Sequence, residues 1–410
     1  MTPVIRTIEL VEHAPWTRSV EHLSVEEGTA IYSLCGDKVA VVFPSPVSNN
    51  MWALEPAGWV GIIPVTPNLI LHISPKVTVS NLFGMLEVAY RLNGIDFGDS
   101  LHACGSMQEF FDHLASILAK RVLDRARIGL YRSYRKNEEH LAFVRGRIQL
   151  AESLKRPWNP AIPCRYDEHT GDIIENRILV WTLGRILRSG LCTEDTRRKA
   201  RAAFRVVAGV ANVEPVSARD CVGRNYSRLN ADYGPLHALC RFFLESSGPT
   251  HAAGGSNILP FSVNMPALFE LYVAQWLDEH LPPTLALTTQ EEVYFDGAHG
   301  LNFRIDLVLK DAETRRPLAV LDTKYKNSGG PAPDDIQQVV AYAVAKGCDS
   351  AFLIYPRPIP INTCFIVGSV TVRSVYFEIN GDLQQGGRKL LEMITDALIP
   401  SNVAIADETE

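Results

Sequence analysis

The chain has 410 residues, which is long enough for two or three domains. Its composition, with 46% apolar and 21% charged residues, is ordinary for a globular protein. The net charge of -6 excludes a uniformly basic surface, so contact with nucleic acid would come from local basic patches. The eight cysteines form no C-x-x-C pair, which excludes the usual spacing of a zinc site and a small disulfide scaffold.

The sequence pattern shows neither a targeting signal nor a membrane segment. The first residues, MTPVIRTIELVEHAPW, have no basic region followed by an apolar run, as a signal peptide would. Apolar stretches are all shorter than the roughly 20 residues that a membrane helix needs. We therefore expect a cytoplasmic protein that makes no contact with a membrane.

Residues 1–100 predict a β-rich domain. The candidate strands are short, rich in β-branched residues and separated by Pro, Gly and Asn. They are Ala30–Tyr32, Val39–Phe43, Gly58–Val65 and Leu69–Ile73. This domain shows neither convergent acids nor a phosphate-binding glycine loop, so two interpretations stay open: a domain that docks on a partner or DNA, or a purely structural sandwich.

Residues 101–255 predict a helical, basic linker region. The segment from Met107 to Tyr134 has helical periodicity, and further helices are expected from about Asp172, at Thr193–Val210 and at Pro235–Ser247. Basic residues concentrate early in the region: Lys120, Arg121, Arg125, Arg127, Arg132, Arg135, Lys136, Arg145 and Arg147. Such a cluster can neutralise phosphates, but an ordinary solvated helix face has the same composition.

Four acids in the middle region look at first like a metal cluster: Asp167, Glu168, Asp172 and Glu175. Acids at the start of a helix are expected from the helix macrodipole alone, and we favour that interpretation. The small residues of Gly248–Asn257 then predict a flexible linker.

Residues 256–400 predict an α/β domain with a mixed central sheet. A helix at Ala267–Leu281 precedes a strand at Thr288–Phe295 and a hairpin of Phe303–Leu309 with Leu318–Tyr325. A helix at Pro333–Ala345, strands at Ser350–Pro356 and Ser369–Ile379 and a final helix complete it. The acidic tail 401–410 is expected to fray. The predicted fold class is therefore α+β with several domains.

The hairpin carries the chemistry of this domain. Side chains on a strand repeat every two residues, so Asp306 faces one side of the first strand while Asp322 and Lys324 share one side of the second. Two converging carboxylates repel each other unless a divalent cation neutralises them. An oxygen-only site suits Mg²⁺, with Mn²⁺ as the alternative ion. The backbone carbonyl of Thr323 would offer a further oxygen.

Helices on either side of the hairpin add polar groups. Glu270, on the first turn of the preceding helix, could reach the ion as a third carboxylate. On the following helix, Gln338 and Tyr342 stand at i and i+4 and therefore share one face. Gln338 could touch the lysine or a phosphate, although plain packing on the helix surface explains this pair equally well.

The combination resembles the PD-(D/E)xK nuclease superfamily, and Gln338-x-x-x-Tyr342 resembles the Q-x-x-x-Y element of its RecB-like members. The resemblance implies Asp306, Asp322, Lys324 and Gln338 as catalytic residues, with the metal held by Asp306, Asp322, Thr323 and Glu270. Ile305 stands where those nucleases usually have proline, a departure that does not touch the metal ligands.

A narrower resemblance extends from about residue 55 to residue 355. The segments GWVGIIPVTPNLILHISPKV, RIGLYRSY, FVRGRI, CRYDEHTGDIIENRIL and FSVNMPALFELYV together resemble McrC, the nuclease subunit of McrBC-type modification-dependent restriction systems. This family implies a partner resembling McrB, an AAA+ GTPase ring, and double-stranded DNA with modified cytosine as substrate. The chain has no G-x-x-x-x-G-K-[ST] loop, which agrees with GTP binding to the partner.

The resulting hypothesis is a Mg²⁺-dependent DNA endonuclease subunit of a defence complex that stimulates an AAA+ GTPase. In this hypothesis the N-terminal domain docks on the partner, and the basic middle links the two ends and touches DNA. Two alternatives stay open. One is a stand-alone RecB-like exonuclease, and the other is a mainly non-catalytic activator of an AAA+ partner.

Overall fold

The computed structural model describes residues 5–92, 104–248, 259–294, 302–326, 330–359 and 364–398. The predicted linker, except for Gly248, and the acidic tail lie outside these residues. The described residues form two compact units. One comprises Met1–Met107 with Phe261–Glu410, and the other comprises Gln108–His251 with Asn257–Pro260, in each case as far as the structure describes them. The two ends of the chain, expected as separate domains, therefore belong to one unit.

The N-terminal part of the first unit is built from two small sheets. Its strands are β1 (Arg6–Val11), β2 (Trp16–Ser19), β3 (Val39–Val42), β4 (Met51–Pro56), β5 (Trp59–Thr66) and β6 (Leu69–Ser74). A 3-10 turn at Val20–His22 and the helices α1 (Val25–Cys35) and α2 (Val79–Ala89) accompany them. One sheet has the order β2-β4-β3, and β1-β6-β5 form most of the other. Buried Trp52 lies in their shared core.

The predicted strand at Ala30–Tyr32 is wrong, because these residues lie in α1. Ser24 and Glu27 form a capping box, in which each side chain accepts a hydrogen bond from the other residue's backbone N–H. Ile31 and Cys35 are buried one turn apart on the same helical face. Local β propensity is overridden here by the cap and by packing.

The second unit is helical but also contains a sheet that the sequence did not predict. Its helices are α3 (Met107–Ile128), α4 (Leu150–Lys155), α5 (Ile174–Arg188), α6 (Glu194–Ala208) and α7 (Tyr233–Ser246), with a 3-10 turn at Ala218–Cys221. Its strands β7 (Ser133–Leu141), β8 (Arg147–Ile148) and β9 (Ile162–Thr170) pair in the order β7-β9-β8. The predicted helix to Tyr134 ends early because Gly129 adopts a left-handed φ of 112°.

The C-terminal part of the first unit is built on a mixed sheet, as predicted, and the sheet has a sixth strand, at Cys364–Val367, that was not predicted. Its elements are β10 (Phe261–Asn264), α8 (Met265–His280), β11 (Leu285–Tyr294), β12 (Asn302–Asp311), β13 (Pro317–Thr323), α9 (Pro333–Lys346), β14 (Ser350–Tyr355), β15 (Cys364–Val367), β16 (Val370–Tyr376) and α10 (Leu383–Leu398). The sheet has the order β11-β12-β13-β14-β16-β15. Strands β11 to β13 are antiparallel, whereas β13, β14 and β16 are parallel.

Strand β10 explains why the two ends of the chain form one unit. It pairs antiparallel with β5, so Phe261 lies opposite Ile62 and Asn264 opposite Trp59. This pairing extends the N-terminal sheet to the order β1-β6-β5-β10 immediately before α8 begins. In the described part of the chain, every helix is too short or too polar to span a bilayer.

Candidate active site

The hairpin of β12 and β13 places two aspartates next to each other. Leu307 pairs with Leu321 across the antiparallel strands. Asp306 directly precedes the first of these leucines and Asp322 directly follows the second, so the two acids occupy neighbouring positions on adjacent strands. Ile305 and Leu307 on either side of Asp306 are fully buried. Val308 is fully buried as well, so β12 is covered on both of its faces next to the acid.

Burial dominates the electrostatics of both aspartates. Asp322 is only 2% exposed, and burial together with the charge of Asp306 raises its pKa to about 6. Burial also raises the pKa of Asp306, although the Thr323 N–H and hydroxyl both donate to Asp306 Oδ2 over 3.2 Å. The pair thus holds negative charge in a poorly solvated place, where a cation would be bound favourably.

Lys324 lies at the end of β13 and is held from several sides. Its backbone N–H donates to the Ile354 carbonyl on β14 over 2.8 Å. Its Nζ lies 2.7 Å from Asp322 Oδ2 and donates to Gln338 Oε1 over 2.8 Å. Burial opposes the charge, but the surrounding carboxylates outweigh it and raise the pKa of the Lys324 ammonium.

Helix α9 supplies the next layer of contacts. Gln338 Nε2 donates to Tyr342 Oη over 2.7 Å, so the i and i+4 pair forms a chain of hydrogen bonds that ends at Lys324. Asp335, on the first turn of the same helix, lies 3.6 Å from Lys324 Nζ and 2.7 Å from Lys326 Nζ. The predicted contact between Gln338 and the lysine is therefore present.

Glu270 on α8 lies near the two aspartates and is oriented by hydrogen bonds through Gln290. Burial, followed by the charges of Asp306 and Asp322, raises the pKa of Glu270 to about 7. Gln290 on β11 donates to the Glu270 carboxylate and accepts from Arg304 Nε on β12. Glu270 is therefore near both aspartates and is oriented by a neutral amide.

The donor set fits a hard divalent cation. Only oxygen ligands converge at the two aspartates, and Mg²⁺ is commonly held by one or two carboxylates with water in its other positions. Within the described residues, three or more acidic, His or Cys side chains do not assemble into a complete metal-binding group. Asp306 and Asp322 would thus form the protein part of such a site, with Glu270 acting directly or through water.

Three candidate functional residues were not predicted from the sequence. Gln290 gave no signal, because it reads as one polar residue in an alternating strand. Arg304, two residues before Asp306 on β12, has no pattern that indicates a role, whereas it donates to Gln290. Asp335 lies in the first turn of α9, where an acid is expected from the helix macrodipole alone. Only its burial, to 3% exposure, distinguishes it from an ordinary acid at a helix start, and burial cannot be read from the sequence.

Asp172 and Glu175 of the second unit are structural, whereas the predicted position at a helix start is wrong for Asp167 and Glu168, which lie on β9. Asp172 accepts two hydrogen bonds from Arg177, over 2.7 and 2.6 Å, and these bonds are the largest cause that lowers its pKa to about 2. Glu175 pairs with Arg224 over 2.6 Å. Because arginine already neutralises these carboxylates, they offer no site for a cation.

Comparison with known proteins gave three findings. The family model described as McrBC 5-methylcytosine restriction system component matches residues 54–356. The type IV methyl-directed restriction enzyme EcoKMcrBC of Escherichia coli K12 is 23% identical over 272 residues, which cover 62% of this chain and 75% of that protein. A chain in the half-complex of Thermococcus gammatolerans McrB AAA+ hexamers with bound McrC has a TM-score of 0.56 and 16% identity, covering 96% of this chain and 100% of its own.

Proposed function

This chain belongs to the family of McrBC 5-methylcytosine restriction system components, and from that premise we propose that it is the DNA-cutting subunit of such a system. In this role it hydrolyses phosphodiester bonds in the cytoplasm with Mg²⁺. The observation that carries the proposal is the convergence of Asp306, Asp322 and Lys324 at one end of a buried hairpin. The family match spans all three residues.

The contacts suggest a separate task for each residue. Asp306 and Asp322 hold the cation, which when bound polarises the scissile phosphodiester and lowers the pKa of a water molecule. The Thr323 N–H and hydroxyl fix the orientation of Asp306. Because the acceptors around Lys324 Nζ fit an ammonium, we assign to Lys324 the stabilisation of charge on the phosphate rather than removal of a proton. Gln338 holds that ammonium in place.

The partner in this proposal is an AAA+ GTPase ring resembling McrB. Support comes from a solved assembly that contains McrB AAA+ hexamers with bound McrC. This chain shares the fold of one chain in that assembly. The substrate is double-stranded DNA with modified cytosine, since the E. coli relative is a methyl-directed restriction enzyme. The GTP site is assigned to the partner, and this chain is proposed to stimulate that hydrolysis.

A cleavage assay with two matched substitutions tests the proposal. Asp322→Asn removes one charge from the site, whereas Asp349→Asn makes the same chemical change at an exposed residue outside it. Methylated and unmethylated DNA are incubated with each variant, the partner, GTP and Mg²⁺. We expect loss of cleavage only for Asp322→Asn, and cleavage only of methylated DNA. Unimpaired cutting by Asp322→Asn would show that the hairpin is not the active site.

The same assay separates the two alternatives. A stand-alone exonuclease would degrade DNA ends without the partner, GTP or methylation. A mainly non-catalytic activator would stimulate GTP hydrolysis and support restriction even with Asp322→Asn. Normal GTPase stimulation together with lost cleavage is the result that the proposed function requires.

A further inference from the structure

A second polar site lies just beyond the catalytic lysine. A cavity of about 60 Å³ is lined by residues that include His13, Lys76, Tyr325, Lys326 and Arg357. That volume has room for a few water molecules, so a small anionic group fits. All of its lining residues belong to the first compact unit, and they come from both ends of the chain.

The walls of this cavity are fixed by contacts between the two ends of the chain. Tyr325 Oη donates to the buried carboxylate of Glu12 over 3.2 Å. Asn81 Nδ2, in the first turn of α2, donates to the carbonyl oxygens of the lining residue Ile379 over 2.6 Å and of Gly381 over 3.1 Å. Such fixed walls preorganise the site, so a ligand would not have to order them.

The lining is strongly basic. Lys76, Lys326 and Arg357 are all exposed at the cavity, so an incoming anion can reach them. Lys76 Nζ donates to the His13 carbonyl oxygen over 3.4 Å, a neutral acceptor that leaves the positive charge in place. Lys326 pairs with Asp335, which it shares with Lys324.

Two further groups favour an anion. His13 Nε2 is buried at the cavity, makes no hydrogen bond within the described residues and lies 3.9 Å from Glu12 Oε1, so its N–H tautomer can donate to a ligand oxygen. Lys76 and Val77 lead directly to Thr78, the N-cap of α2, and the N-terminus of a helix attracts negative charge. Glu12 accepts hydrogen bonds from Tyr325 and the Lys76 N–H, and its repulsion of an anion is weakened because burial raises its pKa to about 7.

We propose that this cavity binds a non-scissile phosphate of the DNA backbone and so sets the position of the strand that is cut. Lys326 lies two residues beyond Lys324 in sequence, which places the cavity beside the reacting phosphate. The N-terminal part would thereby contribute Lys76 directly to substrate binding. The inference rests on the proposed function, since it assumes that DNA is the substrate.

Salt-dependent DNA binding tests the proposal apart from cleavage. Binding of a fluorescent duplex to the full-length chain is measured in EDTA at several salt concentrations. Removing one phosphate contact makes the slope of log K against log salt shallower by about 0.9 and weakens binding about five- to ten-fold at 0.1 M salt. We expect this for Lys76→Ala and Arg357→Ala. Lys389→Ala, at an exposed residue of α10 outside the cavity, is the matched control and should leave the slope unchanged.

A neutral methylphosphonate at single backbone positions locates the contact. One non-scissile position should weaken binding to the wild-type chain but not to Lys76→Ala, because the lost partners are the same. Lys76→Arg should restore the slope, which separates a charge contact from a folding defect. If DNA is bound and cut normally but the slopes of both cavity variants equal that of the wild type, only this inference is overturned. A wild-type chain that neither binds nor cuts DNA with its partner overturns the proposed function as well.

Discussion

Carboxylates in the two units are arranged in opposite ways. In the second unit, Asp172 and Glu175 each have an arginine of their own, and hydrogen bonds from Arg177 lower the pKa of Asp172 to about 2. In the hairpin of the first unit, burial raises the pKa of both Asp306 and Asp322. The first arrangement favours the folded chain by itself. The second stores unfavourable charge that a bound cation can relieve, and it therefore identifies the functional acids better than residue type does.

The largest effect is expected from a substitution of one of the hairpin aspartates. Asp306→Asn should reduce DNA cleavage by on the order of 1,000-fold or more, since loss of a single group that stabilises reacting charge already costs about 100- to 1,000-fold. It should not lower the unfolding temperature in metal-free buffer, because it removes repulsion with Asp322 and Glu270 while an amide oxygen can still accept from Thr323. Cleavage assays and thermal unfolding measure the two effects. A strongly destabilised variant would contradict the view that these acids are held for a cation.

Glu12 tests whether a raised pKa alone marks a ligand site. It is fully buried, and burial raises its pKa to about 7, although Tyr325 and the Lys76 N–H donate to its carboxylate. The folded chain therefore keeps this proton up to about pH 7, whereas the unfolded chain releases it near pH 4.5. Its contribution to the free energy of unfolding should fall by about 3 kcal/mol as the pH rises through this window.

Glu12→Gln should abolish that fall, because an amide makes the same contacts with Tyr325 and Lys76 without a titrating proton. Denaturant unfolding of both chains at pH 5 and pH 8 measures the difference. We expect the variant to be the more stable chain at pH 8, with methyl-directed cleavage retained. Equal pH dependence in the two chains would mean that other groups titrate over this range. His13 faces the same carboxylate and is the first residue to substitute in that case.

The sequence predicted the hairpin well because its chemistry is local. Strict alternation placed Asp306, Asp322 and Lys324, and i, i+4 spacing placed Gln338 beside Tyr342. Contacts between segments that are far apart in the sequence could not be predicted. No local pattern reveals that β10 pairs with β5, or that the early strands and the C-terminal part of the chain form one unit. Gln290 was missed for the same reason, since its role depends on Glu270 and Arg304, which lie on two other elements.

A smaller effect is expected from the paired acids of the second unit. Asp172→Asn removes the charge that Arg177 binds at two points, which should cost about 2 kcal/mol of unfolding free energy while leaving cleavage unchanged. This contribution is present above pH 4 and is lost as the pH falls through about 2, because binding to arginine lowers the pKa of Asp172. Asp195→Asn, in an exposed pair with Lys199, is the control and should leave the unfolding transition where it is. Lost cleavage in Asp172→Asn would give this acid a functional role.

Gln290 combines features of the two arrangements. Its backbone is strained, and its side chain orients Glu270, an acid without a basic partner of its own in the described part of the chain. It lies between Thr289 and Glu291 on β11 with a left-handed φ of 53°, which is rarely adopted by residues other than glycine. Gln290→Gly should therefore raise the unfolding free energy by about 1 kcal/mol. Cleavage should nevertheless fall about ten-fold, as is typical when a group that orients a metal ligand is lost.

Gln290→Ala separates the side chain from the backbone in this last comparison. It loses the bridge between Glu270 and Arg304 but keeps a Cβ in the left-handed conformation, so its cleavage should equal that of Gln290→Gly without the gain in stability. Parallel measurements of cleavage and unfolding on the two variants decide the matter. If both cut DNA as fast as the wild-type chain, the strain at position 290 serves the fold of β11 rather than the orientation of Glu270. A ten-fold loss in both would show that the bridge, and not the backbone, positions the third carboxylate.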